Sequence, residues 1–164
     1  MPSYKIDVEV LEGGKMPSKA NENDAGFDVY ATSDITLYPG QVIKHPLNIK
    51  LALPEGAWAR IETKSGLGAK GMMVWAGVID EGYRGIPHVI MSNIKMTDAV
   101  YHHADQGQEW TEIVPNQDPI LIKKGDKVAQ ITMNPHSNAF WMHQVKEVNQ
   151  NTTRGTGGFG SSGQ

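Results

Sequence analysis

The sequence predicts an all-β domain, a sandwich or barrel, and two observations carry that expectation. Eighteen glycines and nine prolines punctuate short apolar runs such as VIKHPLNIKLAL, PHVIMSNI and KVAQITM, a spacing of strands and turns. No apolar pattern of 3.6-residue period runs long enough for a core helix, and a parallel sheet would need crossover helices. At 164 residues the chain suits one domain with a real hydrophobic core.

The strands follow in order. Tyr4 to Leu11 alternates as a first strand, and the polar GGKMPSKANENDAG leads as a loop into the extended FDVYA. There Phe27 and Val29 face one way, Asp28 and Tyr30 the other. By composition Asp28 is a loop-end carboxylate in water. Asp34 to Leu37 and Gln41 to Leu53 supply two or three further strands around the Pro39-Gly40 turn, with Pro46 at an edge or interruption because it donates no ladder hydrogen bond. Ala57 to Lys64 alternates again, and Ile86 to Ile94 is a strand. Lys95 to Gln117 is long for a connection and is expected to form a hairpin of its own or to project as a loop. Ile120–Ile122 and Val128–Met133 flank a turn at Lys123-Lys124-Gly125-Asp126, and FWMHQVKEV reads as a last strand.

Composition excludes several functions. Without cysteine there are no disulfides, thiolate zinc sites or cysteine nucleophiles. A net charge of −3 argues against gripping a nucleic-acid backbone. No stretch is apolar and long enough to span a bilayer, and MPSYKIDVEV lacks the order of a secretory signal. The expectation is a cytoplasmic protein with no membrane or nucleic-acid partner.

Chemistry concentrates in VWAGVIDEGYRG, Val74 to Gly85. Val74, Trp75, Val78 and Ile79 favour extended backbone, and Gly77 and Gly82 mark turns or close approaches. Asp80 is then at a strand end or tight turn, where a carboxylate can orient and deprotonate a water. Tyr83 offers a flat face to a planar ligand, or caps a core. In ETKSGLGAKG, Lys64, Ser65 and Gly66 make a cradle of amides, hydroxyl and ammonium for phosphate, or a glycine-rich surface turn. Gln130 faces away from Ala129 and Ile131, as a ligand contact or as a hydrogen-bonded structural amide. The tail NTTRGTGGFGSSGQ has too little apolar surface to fold alone. Its Arg154, Phe159 and Ser161-Ser162 suit closure over a ligand, with arginine on phosphates and the phenyl ring on a base.

In order, AGFDVYA, KSGLGAKG, AGVIDEGYRG, KKGDKVAQITM and RGTGGFGSSG resemble the five motifs of the trimeric dUTP diphosphatases, or dUTPases. The resemblance runs from about Ala25 to the end of the chain. It implies a jelly-roll-like distorted β-barrel over residues 1–150 and a flexible glycine-rich arm, 151–164, closing over an active site. It also implies a homotrimer with sites at subunit interfaces, Mg2+ on the triphosphate, and conversion of dUTP and water to dUMP and pyrophosphate. Asp80 would activate the water that attacks the α-phosphorus. Gly77, Val78 and Ile79 would present backbone groups to uracil, and Tyr83 would pack under the deoxyribose. Lys64, Ser65 and Gly66 would bind phosphates, Gln130 would touch the α-phosphate region, and Asp28 would help hold the metal through water. Arg154 would meet the terminal phosphates, Phe159 would cover uracil, and Gly160, Ser161 and Ser162 would close the shell.

Three departures stand out. Lys64 replaces the family's usual arginine, keeping the charge but losing the bidentate fork, so that phosphate geometry shifts or another base compensates. Gly82 stands where an acidic residue is frequent. The segment 95–117 is similar to an insertion of some phage enzymes that contact host proteins, which implies a phage or prophage origin, a host cytoplasm as its location and a protein partner. Two competing readings are a dCTP deaminase-type enzyme of the same fold, which needs an acid/base glutamate such as Glu81, and a regulatory protein that binds through the insertion.

Overall fold

Alternation along the short runs dictates the architecture. The computed structural model describes residues 4–103, 109–136 and 142–148. Four antiparallel sheets make the body. The largest has the order β2 (Gly26–Tyr30), β13 (Lys127–Pro135), β6 (Ala57–Glu62) and β8 (Val78–Ile79). A second places β9 (His88–Asn93) between β4 (Val42–Pro46) and β7 (Met72–Trp75). Two pairs complete the body, β1 (Asp7–Val10) with β5 (Ile49–Ala52) and β3 (Ile35–Leu37) with β12 (Ile120–Ile122).

The residues explain the pairing. In β3 and β12 the outer isoleucines and Leu37 are buried while Thr36 and Leu121 face water, the period-2 pattern of a one-sided strand. Val29, Leu37, Leu47, Ile49, Val89, Met91, Val128 and Ile131 are each less than 2% exposed and form one core under the sheets. Each such side chain contributes about 1.5–3 kcal/mol relative to exposure. Pro46 closes β4 opposite His88 on an outer strand, where its missing donor costs no inner ladder bond.

Of the two forms expected for 95–117, a hairpin of its own or a projecting loop, the hairpin is present as β10 (Thr97–His103) and β11 (Glu109–Pro115). Asn116 ties its base: its N–H donates to the Met96 carbonyl (2.9 Å) and its side-chain amide to that of Lys95 (2.8 Å). The hairpin pairs only with itself among the described strands, so it is an appendage to the core. The glycine-rich surface turn expected after Lys64 takes the form of one helical turn, α1, over Ser65–Gly68, following an extended Lys64. One expectation needs correction. Met142–Val148, expected within a last strand, forms none and is exposed throughout. A strand needs a neighbouring edge to receive its amides, and none of the described sheets includes that segment.

Candidate active site

Asp80 directly follows β8, and its carbonyl accepts the Tyr83 N–H (3.0 Å), closing a turn that leaves the carboxylate exposed. Together with Trp58, Val78, Glu81, Gly82 and His136 it lines an open cleft of 610 Å³. β8 packs Ile79 into the core and turns Val78 outward, 61% exposed, so this two-residue strand is fastened on one face and free on the other. Ala76, before it, has φ +47, a left-handed conformation that costs a side-chain-bearing residue about 1–2 kcal/mol. Gly77 follows in contact with β6, its carbonyl accepting the Ile61 N–H at 2.8 Å. The Tyr83 hydroxyl donates to the Ile86 carbonyl (3.1 Å), and a Cβ on Gly85 would meet that hydroxyl at 2.5 Å. Gly85 therefore makes the seat in which the phenol lies.

The second group forms around Asp28. Far from standing in water, Asp28 is 6% exposed, because β2 runs beside β13 and the carboxylate turns toward the end of β6. Lys64 Nζ donates to its Oδ1 and Lys127 Nζ to its Oδ2, each at 2.6 Å. Burial pushes this carboxyl up, and the bonds and charges of Lys127 and Lys64 outweigh it, holding Asp28 below the ordinary carboxylate range. Gln130 is directly opposite both Asp28 and Glu62 in the ladder, so it shares their face. Ser65 and Gly66 follow Lys64 at the exposed start of α1, where first-turn amides have no intrahelical acceptor. Among the described residues no group of three or more histidine, aspartate or glutamate side chains is arranged to hold a metal. Asp28, whose two oxygens each carry an ammonium, does not make a resident site by itself.

The two groups do not meet within one chain. Register places Asp80 beside Trp58 at the start of β6, whereas Lys64 lies past its end. Six extended residues separate them, about 20 Å. The expected contributors Arg154, Phe159, Gly160, Ser161 and Ser162 lie outside the described residues.

The dUTPase family model matches residues 12–106 and 112–163. The chain belongs to the dUTPase family. It is 32% identical over its whole length, and over that of the relative, to the deoxyuridine 5'-triphosphate nucleotidohydrolase of Clostridium tetani. It is also 32% identical over 153 residues to the Pol polyprotein of an ovine maedi visna related virus, of which it spans only 12%. Among solved structures, the Staphylococcus bacteriophage 80alpha dUTPase with dUPNHPP superposes with a TM-score of 0.77 at 25% identity, covering 98% of this chain and 99% of that one.

Within this dUTPase-family chain, sequence reasoning missed Lys127, Trp58 and His136. Lys127 was hidden by a β-bulge: register shifts between Lys127 and Ala129, so Lys127 rather than Val128 stands opposite Tyr30, on the Asp28 face. Strict alternation would have placed it on the other side. His136 and Trp58 had no local signal and were brought to the cleft by β6 pairing with the end of β13.

Glu81 has a defined place as well. Its Oε2 accepts the Gly56 N–H (2.8 Å) and lies 3.0 Å from His136 Nε2. The Gly56 bond first, then His136, lowers the Glu81 pKa. A carboxylate depressed in the folded state adds stability above its unfolded value, near pH 4.3, and loses it as pH falls through the folded value. Glu81→Gln is therefore expected to lower Tm at pH 7. The gap from the parent should shrink as pH falls below about 4, and thermal melts at pH 7 and pH 3 check this. A gap that stays constant with pH would mean that the ionised carboxylate is not what holds this turn.

Proposed function

We propose that this chain hydrolyses dUTP to dUMP and pyrophosphate in a homotrimer, with each active site assembled between subunits. One observation carries the assembly: the Asp80 cleft and the Lys64–Ser65–Gly66 turn stand about 20 Å apart along one strand. A water activated by Asp80 must attack the same phosphorus that the phosphate-binding residues hold, and reacting atoms need approach within about 3–3.5 Å. One copy cannot supply both, whereas a neighbouring copy can. A jelly-roll-like distorted β-barrel, residues 1–150, and a flexible arm, 151–164, belong to this reading.

In the assembled site Gly77, Val78 and Ile79 present backbone groups to uracil along the outward edge of β8. An amino group in place of uracil O4 would set donor against donor, which disfavours cytosine. Tyr83 packs under the deoxyribose and crowds a 2'-hydroxyl. Ser65, Gly66 and Lys64 of another copy hold phosphates, Gln130 reaches the α-phosphate, and Asp80 takes a proton from the attacking water as pyrophosphate leaves. Arg154, Phe159, Gly160, Ser161 and Ser162 close over the nucleotide. The substrate is the Mg2+ complex of dUTP, so the ion arrives on the phosphates. A water-mediated contact from Asp28 to it would draw on oxygens that already carry Lys64 and Lys127.

The position of Glu81 weakens the deaminase alternative, since a glutamate tied to Gly56 and His136 is not free to shuttle protons at a base. The β10–β11 hairpin, outside the core, is the surface offered to a protein partner of the 95–117 segment. The test is pyrophosphate release from dUTP, dCTP, dTTP and UTP in parallel, with Mg2+ and with chelator. The expected result is Mg2+-dependent release from dUTP with dUMP as product, at least about 10²-fold preference over dCTP from hydrogen-bond readout at O4, and weaker release from UTP, whose 2'-hydroxyl Tyr83 crowds. Release of ammonia from dCTP, or no release from any of the four, overturns the reading.

A further inference from the structure

Resting on that reading, we propose that Lys127 is a second phosphate-binding cation, supplying the half of the grip that Lys64 lacks as a lysine in an arginine's place. A guanidinium offers two parallel N–H donors from one side chain, and one ammonium offers a single point. Here two ammonium groups stand side by side because they share one carboxylate, Lys64 on Oδ1 and Lys127 on Oδ2. Together they restore a two-point grip.

The surroundings favour this role over a purely structural one. The Asp28 side chain is 9% exposed, while those of Lys64 and Lys127 are 28% and 44% exposed. The anion is thus buried behind and the cations reach outward. Two positive charges face one negative charge, which leaves a surplus for an incoming anion. A second carboxylate, Asp24, acts on Lys127 by charge alone, its oxygens being bonded to the Asn21 amides rather than to either ammonium. Lys15 does not compete for the anion, because its ammonium lies 3.7 Å over the Tyr30 ring. The bulge at residues 127–129 makes the arrangement: it re-aims one side chain against the alternation of the strand, onto the face shared by Asp28 and Gln130.

When phosphate binds, both lysines turn part of their donors to it while Asp28 holds them from behind. Each ammonium has three donors, so it can keep one on the carboxylate.

A double-mutant cycle on the full chain tests the proposal, with pyrophosphate and deoxyuridine as separate inhibitors of dUTP turnover. Lys127→Ala is expected to weaken pyrophosphate inhibition about 10- to 100-fold, the scale of a lost charge-assisted bond, and to leave deoxyuridine inhibition unchanged. Lys127→Arg keeps the charge and should stay within about threefold of the parent. In a Lys64→Arg background the same Lys127→Ala change should cost less than about threefold, because the guanidinium already makes both contacts. Equal weakening of pyrophosphate and deoxyuridine, or an undiminished loss in the Lys64→Arg background, overturns it. Turnover of dUTP by the parent protein separates the two levels. A parent inactive on dUTP removes the functional reading, whereas an active parent whose Lys127→Ala variant binds pyrophosphate normally removes this inference alone.

Discussion

Asp80→Asn is expected to lower kcat on dUTP by about 10²- to 10⁴-fold, the contribution of a positioned general base, while leaving dUTP affinity within about threefold. The amide keeps the shape of the carboxylate and loses its proton affinity. Little structural cost should accompany the change, since the turn is closed by the Asp80 carbonyl and Tyr83 N–H rather than by the side chain. The carboxylate is exposed at the mouth of the cleft beside Trp58 and His136. Single-turnover kinetics paired with calorimetric binding of a non-hydrolysable dUTP analogue would separate the two quantities. Turnover within about tenfold of the parent would remove Asp80 from the role, because so small a loss falls below what a general base contributes.

Gly77→Ala is expected to have the largest effect on the fold. A Cβ at this position would overlap the carbonyl oxygen of Ile61 and crowd its carbonyl carbon and amide nitrogen. None of these atoms can yield cheaply. Ile61 is 4% exposed in β6, which is held on one side by β13 and on the other by β8. The β7–β8 connection would have to lift away, breaking the bond from Ile61 N–H to the Gly77 carbonyl. Overpacking of this kind costs about 3 kcal/mol or more, which corresponds to a fall in Tm of about 6–12 °C for a chain of this size. The outer edge of β8 is the proposed uracil reader, so deoxyuridine binding should vanish with it. Gly82→Ala is the control, since a Cβ there meets nothing within 4 Å. A Gly77→Ala melt within about 2 °C of the parent would mean that the β7–β8 connection tolerates displacement and that Gly77 is not what seats it, since a clash of about 3 kcal/mol shifts Tm several-fold more.

What could be read from residues alone was whatever depends on neighbours in the chain. The strands at ITL and ILI, the turn at Pro39-Gly40 and, each as one of two alternatives, the edge position of Pro46 and the separate hairpin of 95–117 are short-range consequences of side-chain period and backbone preference. The placement of Asp80 at a strand end was legible for the same reason, as apolar β-formers run up to it and a turn follows. What only the tertiary structure decided depends on residues brought together from far apart. Asp28 looked solvated, yet Lys64 and Lys127, 36 and 99 positions away in the numbering, neutralise it in a nearly buried setting. A bulge, invisible to any alternating pattern, put Lys127 on that face. Glu81 acquired its fixed place from Gly56 and His136 through the pairing of β6 with β8 and β13. The distance between the Asp80 cleft and the Lys64 turn likewise follows from both groups flanking one extended strand, whose rise per residue keeps its ends apart.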